Sequence, residues 1–90
     1  MKPSLQDIKR EKIIAIIRGV PSELIIETAK ALVLGGIRMM EITFDQKDPG
    51  GIKNTLDSIA VLNEQMHEDI YLGAGTVLTK EQVMLAYEHG

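Results

Sequence analysis

Three short, almost continuous apolar runs constrain the fold of this 90-residue chain more than any other feature. They begin at Ile13, Met39 and Ile70, so their starts lie 26 and 31 residues apart. Apolar runs of this length are typical of strands that are covered on both faces, as in parallel sheets. A spacing of about 30 residues is that of β-α units joined by right-handed crossovers. The chain is therefore predicted to form an α/β fold with three parallel strands.

Segments with helical periodicity lie between and after the predicted strands. The first ends at Gly35-Gly36, where a left-handed C-cap requires no Cβ atom, and the second follows the turn sequence 48–51. The third begins with a capping box in which Thr79 and Gln82 would satisfy each other's backbone donors. A short helix capped by Ser4 precedes the first strand. The apolar stripes that predict the three later helices run through Leu24, Ile25, Thr28, Ala29 and Leu32, through Ile52, Leu56, Ile59, Ala60, Asn63 and Met66, and through Val83 and Tyr87.

Three strands are too few to close a barrel, and a three-stranded parallel sheet has two bare edges. One alternative is a sheet that stays open. The other is that residues 1–90 form a single incomplete domain, the first three β-α units of a (β/α)₈ TIM barrel, preceded by a short N-terminal helix. A complete barrel of this kind needs about 250 residues. We favour the second alternative, because the chain stops directly after a predicted helix.

Composition and charge exclude several classes of function. The net charge of −3 and the absence of a basic stripe argue against a nucleic-acid partner. The chain has no cysteine, and neither His67 nor His89 has a second ligand at helical metal spacing, so we predict no metal and no other cofactor. No apolar run approaches the roughly 20 residues of a membrane span, and no signal peptide begins the chain. We expect a cytoplasmic protein without a membrane partner.

Glu41 is the most informative single residue, because it lies within an otherwise apolar strand. Period-two alternation places it on one face of that strand with Met39 and Thr43. One interpretation is a catalytic carboxylate that performs general acid–base chemistry. The other is a structural ion pair between Glu41 and either Arg18 or Arg38, since an unpaired buried carboxylate costs several kcal/mol.

Two further candidates lie at strand ends. Arg18 follows the first strand, and its guanidinium suits a carboxylate or a phosphate; the alternative is a solvated arginine or a partner for Glu41. Gly73-Ala74-Gly75-Thr76 closes the third strand and offers small residues and one hydroxyl group. Tight packing of strand and helix explains these glycines equally well. The carboxyl ends of parallel strands form the rim of the active site in α/β folds, so these residues should share one edge.

Together these segments resemble the 2-keto-3-deoxy-6-phosphogluconate (KDPG) and 4-hydroxy-2-oxoglutarate aldolases. The resemblance covers nearly the whole chain, as the N-terminal part of such an enzyme. It is weakest at residues 1–12 and 45–69. The matching stretches are IIAIIRG at 13–19, GGIRMMEITF at 35–44 and GAGTVLTKEQV at 73–83.

The resemblance implies a class I aldolase on a (β/α)₈ barrel, cytoplasmic, usually homotrimeric and independent of metal ions. A lysine would form a Schiff base with the keto group of a small 2-oxo acid, either a phosphorylated 3-deoxy sugar acid, as in the Entner–Doudoroff route, or 4-hydroxy-2-oxoglutarate. Cleavage would yield pyruvate and an aldehyde. Glu41 would be the catalytic proton shuttle, and Thr76, Arg18 and Thr43 would bind the substrate.

Two positions depart from the family pattern. Many members carry an arginine four residues after the glutamate, where this chain has Asp45, so either Arg18 takes over the carboxylate or the substrate differs. The Schiff-base lysine of the family lies on a late barrel strand. The lysines of this chain all fall in predicted helices or loops; they are Lys2, Lys9, Lys12, Lys30, Lys47, Lys53 and Lys80. We therefore expect the 90-residue chain to be inactive alone.

Two rival interpretations remain from the sequence. The first is a small open α/β binding module that buries its exposed sheet face by self-association, with Glu41 in a structural ion pair. The second is a different barrel enzyme, such as a sugar-phosphate isomerase or epimerase, because a fold does not determine a function. The glutamate and the Gly-Ala-Gly-Thr sequence argue against that second rival only through the resemblance.

Overall fold

The computed structural model describes residues 3–48 and 50–90. Pro49 of the predicted turn, and Lys2, lie outside the described residues. The three strands are parallel and lie side by side in the order in which they occur along the chain. Helices alternate with them as predicted, so the fold is α/β, consistent with the N-terminal β-α units of a TIM-like barrel. The elements are α1 (Leu5–Glu11), β1 (Ile14–Ile17), a 3₁₀ turn (Ser22–Leu24), α2 (Ile25–Leu34), β2 (Met39–Thr43), α3 (Gly51–Met66), β3 (Tyr71–Gly75) and α4 (Lys80–His89).

The sheet has one covered face and one open face. Helices α2 and α3 pack against the covered face, whose strand residues include Ile17, Met40 and Leu72. On the opposite face, which we call the open face, Ile14 and Ile16 are 45% and 66% exposed. Strand alternation assigns each residue to its face, since successive side chains point in opposite directions. The buried core consists of Ile17, Ile25, Ala29, Met40, Ile42, Ile59, Leu62, Met66, Ile70 and Leu72.

The predicted glycine stop of α2 is confirmed. Gly36 has a φ of +90°, the left-handed conformation that only glycine adopts without cost. The amide of Ile37 donates to the carbonyl of Leu32 at 2.9 Å, and the amide of Gly36 donates to that of Val33 at 3.0 Å. These two bonds form a Schellman motif, which satisfies the last carbonyls of the helix and directs the chain into β2.

Helix α1 is capped by Ser4 as predicted, and it is attached to the sheet through Tyr71. The Ser4 hydroxyl accepts the Asp7 amide at 3.2 Å, while the Asp7 carboxylate accepts the Ser4 amide at 2.9 Å. The hydrogen bonds from Ser4 hold the pKa of Asp7 at about 2, so the carboxylate stays charged. Tyr71 donates its hydroxyl proton to Asp7 at 3.2 Å and accepts Arg10 at 3.0 Å. Helix α1 therefore lies over the start of β3.

The predicted cap and apolar face of α4 are correct only in part. The Thr79 hydroxyl accepts the Gln82 amide at 3.1 Å, but the Gln82 side chain accepts the amide of Leu78 instead of that of Thr79. Val83 and Tyr87 are 56% and 72% exposed, so the predicted stripe was wrong. Gln82 and Ala86 are the residues that face inward. A phase error of one residue turns a helix by about 100°, enough to move a side chain from the inner face to the outer one.

Ser58 in α3 is fully buried, and its hydroxyl has no hydrogen-bond partner within the described residues. A buried hydroxyl without a partner costs about 1–3 kcal/mol. We therefore expect Ser58→Ala to raise the free energy of unfolding, measured by urea denaturation, by about 1 kcal/mol. Thr55→Val is the matched contrast, because the buried Thr55 hydroxyl donates to the carbonyl of Thr43 at 3.0 Å. That variant should lower stability. A loss of stability in Ser58→Ala would contradict the interpretation.

Within residues 3–48 and 50–90, no helix is both long enough and apolar enough to cross a membrane.

Candidate functional site

Glu41 lies at the centre of the sheet on the open face. In the strand register it is opposite Ile16 of β1 and Gly73 of β3, and its side chain is half-buried. Below it, towards α1, a cavity of about 140 Å³ is lined by Glu41 and mainly apolar residues, among them Ile8, Ile14 and Met39. The sequence pattern predicted a carboxylate within an apolar strand and left two alternatives for it, a charged partner or an open site.

The Glu41 carboxylate occupies the space that a side chain at position 75 would fill, and this space is free because residue 75 is glycine. A Cβ atom at Gly75 would overlap the carboxylate of Glu41, at 2.6 Å from its Cδ atom, and would lie 2.7 Å from Cγ2 of Thr43. The carboxylate therefore rests against bare backbone, in space that the Cβ atom of any other residue would enter. At Gly73 the same added atom would meet nothing within 4 Å. The two glycines of this strand thus have different roles, which the sequence alone did not separate.

The structural ion pair predicted as an alternative for Glu41 is wrong. Arg18 donates Nη2 to the Thr76 hydroxyl at 3.0 Å, and Arg38 donates Nε to the carbonyl of Asp69 at 3.1 Å. Among the described residues, the ion pairs do not include Glu41, and neither Arg18 nor Arg38 forms a salt bridge with its carboxylate. The carboxylate is therefore available to a ligand.

Arg18 and Thr76 meet at the carboxyl edge of the sheet, as their positions after β1 and β3 predicted. Thr76 has a φ of +51°. A β-branched residue in this left-handed region is a strained one, at a cost of about 1–3 kcal/mol. Such strain persists only where neighbouring contacts hold it, and it is concentrated at functional sites. The hydroxyl of Thr76 accepts the Arg18 proton, so its own proton is left to donate to another acceptor.

Thr43 is brought to the same edge, on the same sheet face as Glu41, and its side chain is buried. It is 3% exposed, and its hydroxyl donates to the carbonyl of Ile17 at 3.1 Å. This bond joins the last residue of β2 to the last residue of β1. Since Arg18 directly follows Ile17, Thr43 fixes the point at which the Arg18 side chain leaves the sheet.

Two glutamines at this edge were missed by the sequence analysis. Gln46 was not singled out there, and Gln82 was assigned only to a helix cap. In the structure their side-chain amides bond to each other, and Gln46 Nε2 donates to the carbonyl of Thr76 at 2.9 Å. No local spacing reveals a pair that is 36 residues apart.

Asp45, which stands where many aldolases of the resembling family carry arginine, is half-buried. Its carboxylate accepts the amide of Lys47 at 3.1 Å and so shapes the turn after β2.

The histidines and acidic residues do not assemble a metal site in the part of the chain that the structure describes. The ring Nδ1 atoms of His67 and His89 lie 3.0 Å and 2.6 Å from carbonyls four residues earlier, those of Asn63 and Leu85. The groups that could take part in chemistry are the Glu41 carboxylate on the open face and, at the carboxyl edge, the Arg18 guanidinium and the Thr76 hydroxyl. This set can bind an anion and move a proton.

Comparison with known proteins gives two matches. The family model for KDPG and KHG aldolase matches residues 5–90. A 2-dehydro-3-deoxy-phosphogluconate aldolase of Treponema pallidum (strain Nichols) is 36% identical over 86 residues, an alignment that covers 92% of this chain and 36% of that protein. The chain thus spans about a third of the length of this relative.

Proposed function

We propose a function from one premise: this chain belongs to the KDPG and KHG aldolase family. The proposal is that the full-length protein is a class I aldolase. It would cleave a 2-oxo-3-deoxy-6-phospho sugar acid or 4-hydroxy-2-oxoglutarate to pyruvate and an aldehyde. The observation that carries the proposal is Glu41, which forms no ion pair among the described residues and lies on the open face against Gly75, directly before Thr76 of the Arg18–Thr76 pair.

The Arg18–Thr76 pair suits the carboxylate of a 2-oxo acid. Arg18 supplies a permanent positive charge and has further N–H donors besides the one that Thr76 accepts. The Thr76 hydroxyl group can still donate a hydrogen bond to an oxygen of the substrate carboxylate. Thr43 was predicted to bind substrate; its buried hydroxyl supports a role in the site through the backbone next to Arg18. With Asp45 engaged in its turn, Arg18 is the arginine that we assign to the substrate carboxylate.

Glu41 is proposed to move the protons of the reaction. When the carbon–carbon bond breaks, the hydroxyl of the departing aldehyde loses its proton, and a carboxylate on the open face can accept it, directly or through water. The electron pair of the broken bond passes to a protonated imine formed between the substrate and a lysine, and the enamine that results is later protonated to give the pyruvyl imine. Hydrolysis of that imine releases pyruvate and restores the lysine.

The lysine of this scheme is expected outside residues 1–90. Each lysine that the structure describes lies in a helix or a loop, and none lies in β1, β2 or β3. Lys30 and Lys53 lie in α2 and α3, the helices that pack on the covered face, away from a substrate held on the open face. Lys2 lies outside the described residues.

Trapping with borohydride tests the proposal. Borohydride reduces an imine to a stable amine, so pyruvate should become attached to one lysine per chain of the full-length protein, as detected by mass spectrometry. The 90-residue chain alone should gain no adduct. Pyruvate omitted from the same reaction is the control. A stoichiometric adduct on a lysine of the short chain would refute the placement of the lysine, and no adduct on the full-length protein would refute the class I mechanism.

One observation supports the rival function, a self-associating module without catalysis. Ile14 and Ile16 leave an apolar surface on the open face that some partner must cover. In the aldolase proposal the later strands of the barrel cover it. The homotrimer of the intact protein and its cytoplasmic location stay predictions.

A further inference from the structure

We propose that Gln46 and Gln82 are positioning residues that hold Thr76, and through it the guanidinium of Arg18, in place for the substrate carboxylate. The inference rests on the proposed function of this edge and extends it to two residues that act through Thr76. The two side chains, which we call the glutamine pair, come from the loop after β2 and from the first turn of α4.

The glutamine pair is bonded reciprocally. Gln46 Nε2 donates to Gln82 Oε1 at 3.1 Å, and Gln82 Nε2 donates to Gln46 Oε1 at 3.0 Å. The same amides also bond to the chain after β3, where Gln46 Nε2 donates to the Thr76 carbonyl at 2.9 Å and Gln82 Oε1 accepts the Leu78 amide at 2.9 Å. The pair therefore binds segment 76–78 at both ends, through the Thr76 carbonyl and the Leu78 amide.

Both amide orientations follow from these partners. The Thr76 carbonyl can only accept, so it faces the amide nitrogen of Gln46; the Leu78 amide can only donate, so it faces the oxygen of Gln82. With the bonds to Thr76 and Leu78 fixed in this way, each of the two bonds between the glutamines pairs an amide nitrogen with an amide oxygen. Turning either amide by 180° would set like groups against each other. The pair has a single consistent arrangement.

Gln82 is anchored more firmly than Gln46. It is 4% exposed, and its backbone amide is bound by the Thr79 hydroxyl at 3.1 Å. Gln46 is exposed. The rigid cap of α4 thus supplies the fixed end of the pair, and Gln46 carries the restraint to the Thr76 carbonyl.

The restraint matters because Thr76 is held at a φ of +51°, which a threonine does not adopt by preference. Relaxation to a negative φ would rotate the Thr76 carbonyl away from Gln46 and shift the hydroxyl that accepts Arg18. The four bonds of the glutamine pair oppose this rotation. They therefore preorganise both groups that would bind the substrate carboxylate.

Steady-state kinetics of Gln46→Ala in the full-length protein test the proposal. The variant loses the donor to Thr76 and half of the pair, so we expect KM for the 2-oxo acid to rise about tenfold, with kcat changed by less than about threefold. Gln46→Glu should act alike, because it keeps the side-chain length but removes the Nε2 donor. Gln65→Ala is the matched control: this exposed glutamine borders the space between the ends of α2 and α3 and should leave both constants unchanged.

A crystal structure of Gln46→Ala gives a readout that needs no activity. We expect Thr76 to leave the left-handed region and its hydroxyl to move out of hydrogen-bond distance of Arg18. An unchanged Thr76 φ and Arg18–Thr76 contact, or an unchanged KM in an active enzyme, would overturn the positioning role. A lower fraction of folded protein with normal KM would also overturn it, as a merely structural effect. If the wild type cleaved no 2-oxo acid, the proposed function would fail, and the crystal structure would still decide whether the pair positions Thr76.

Discussion

Replacing Glu41 with Gln in the full-length protein should slow aldol cleavage by about 10²–10⁴-fold, the range that a general acid–base group contributes. The amide has nearly the shape of the carboxylate but cannot accept a proton at neutral pH. Since Glu41 forms no ion pair among the described residues, the substitution breaks no salt bridge and should leave the fold intact. The measurement is kcat for a phosphorylated 3-deoxy-2-oxo sugar acid and for 4-hydroxy-2-oxoglutarate.

Two further measurements separate chemistry from structure. Glu64→Gln, at an exposed position on α3, is the control for the loss of one negative charge and should retain wild-type activity. Thermal unfolding of Glu41→Gln should match the wild type. A loss of less than about tenfold would be too small for a proton shuttle and would return Glu41 to a binding role.

The sequence predicted those parts of the fold that depend on local pattern. Continuous apolar runs predicted the strands, and Ser4 and Gly36 marked the helix ends, because caps are decided by residues within one turn. Glu41 was found for a similar reason, since one charge in an apolar strand stands out. Its surroundings were not predicted. The choice between ion pair and open site depended on where Arg18 points, and Arg18 bonds to a residue 58 positions away.

The features that sequence reasoning missed are bonds between distant segments. The glutamine pair joins the loop after β2 to the first turn of α4, 36 residues apart, and no periodicity marks either member. Thr76 was predicted at the right edge, but its left-handed backbone was not, because threonine normally avoids that region. The inward face of α4 was misplaced since Val83 is more apolar than Gln82, yet Gln82 is the buried residue and its side chain makes the tertiary hydrogen bonds. Tertiary hydrogen bonds outweighed hydropathy there.

Gly75→Ala should lower kcat of the full-length protein by about 10²-fold, because small displacements of a catalytic group have effects of this size. The added methyl group would occupy the place of the Glu41 carboxylate and press on Thr43, so the carboxylate must move off the β3 backbone. Gly75 has no positive φ, so the effect is one of space and not of backbone strain. Gly35→Ala is the matched control, since an added Cβ there lies at ordinary contact distances of 3.5 and 3.7 Å.

A double-mutant cycle shows whether Gly75 acts through Glu41. If the methyl group harms catalysis only by displacing the carboxylate, adding Gly75→Ala to Glu41→Gln should cost no more than about twofold beyond the single Glu41 variant. If the kcat losses of the two single variants multiply in the double variant, Gly75→Ala acts independently of Glu41, through the packing of β3 against β2. Circular dichroism of each variant distinguishes that case from a displaced side chain. A non-additive result would establish that the glycine after Ala74 serves the proton shuttle, because only a residue without a side chain leaves Glu41 room on the open face.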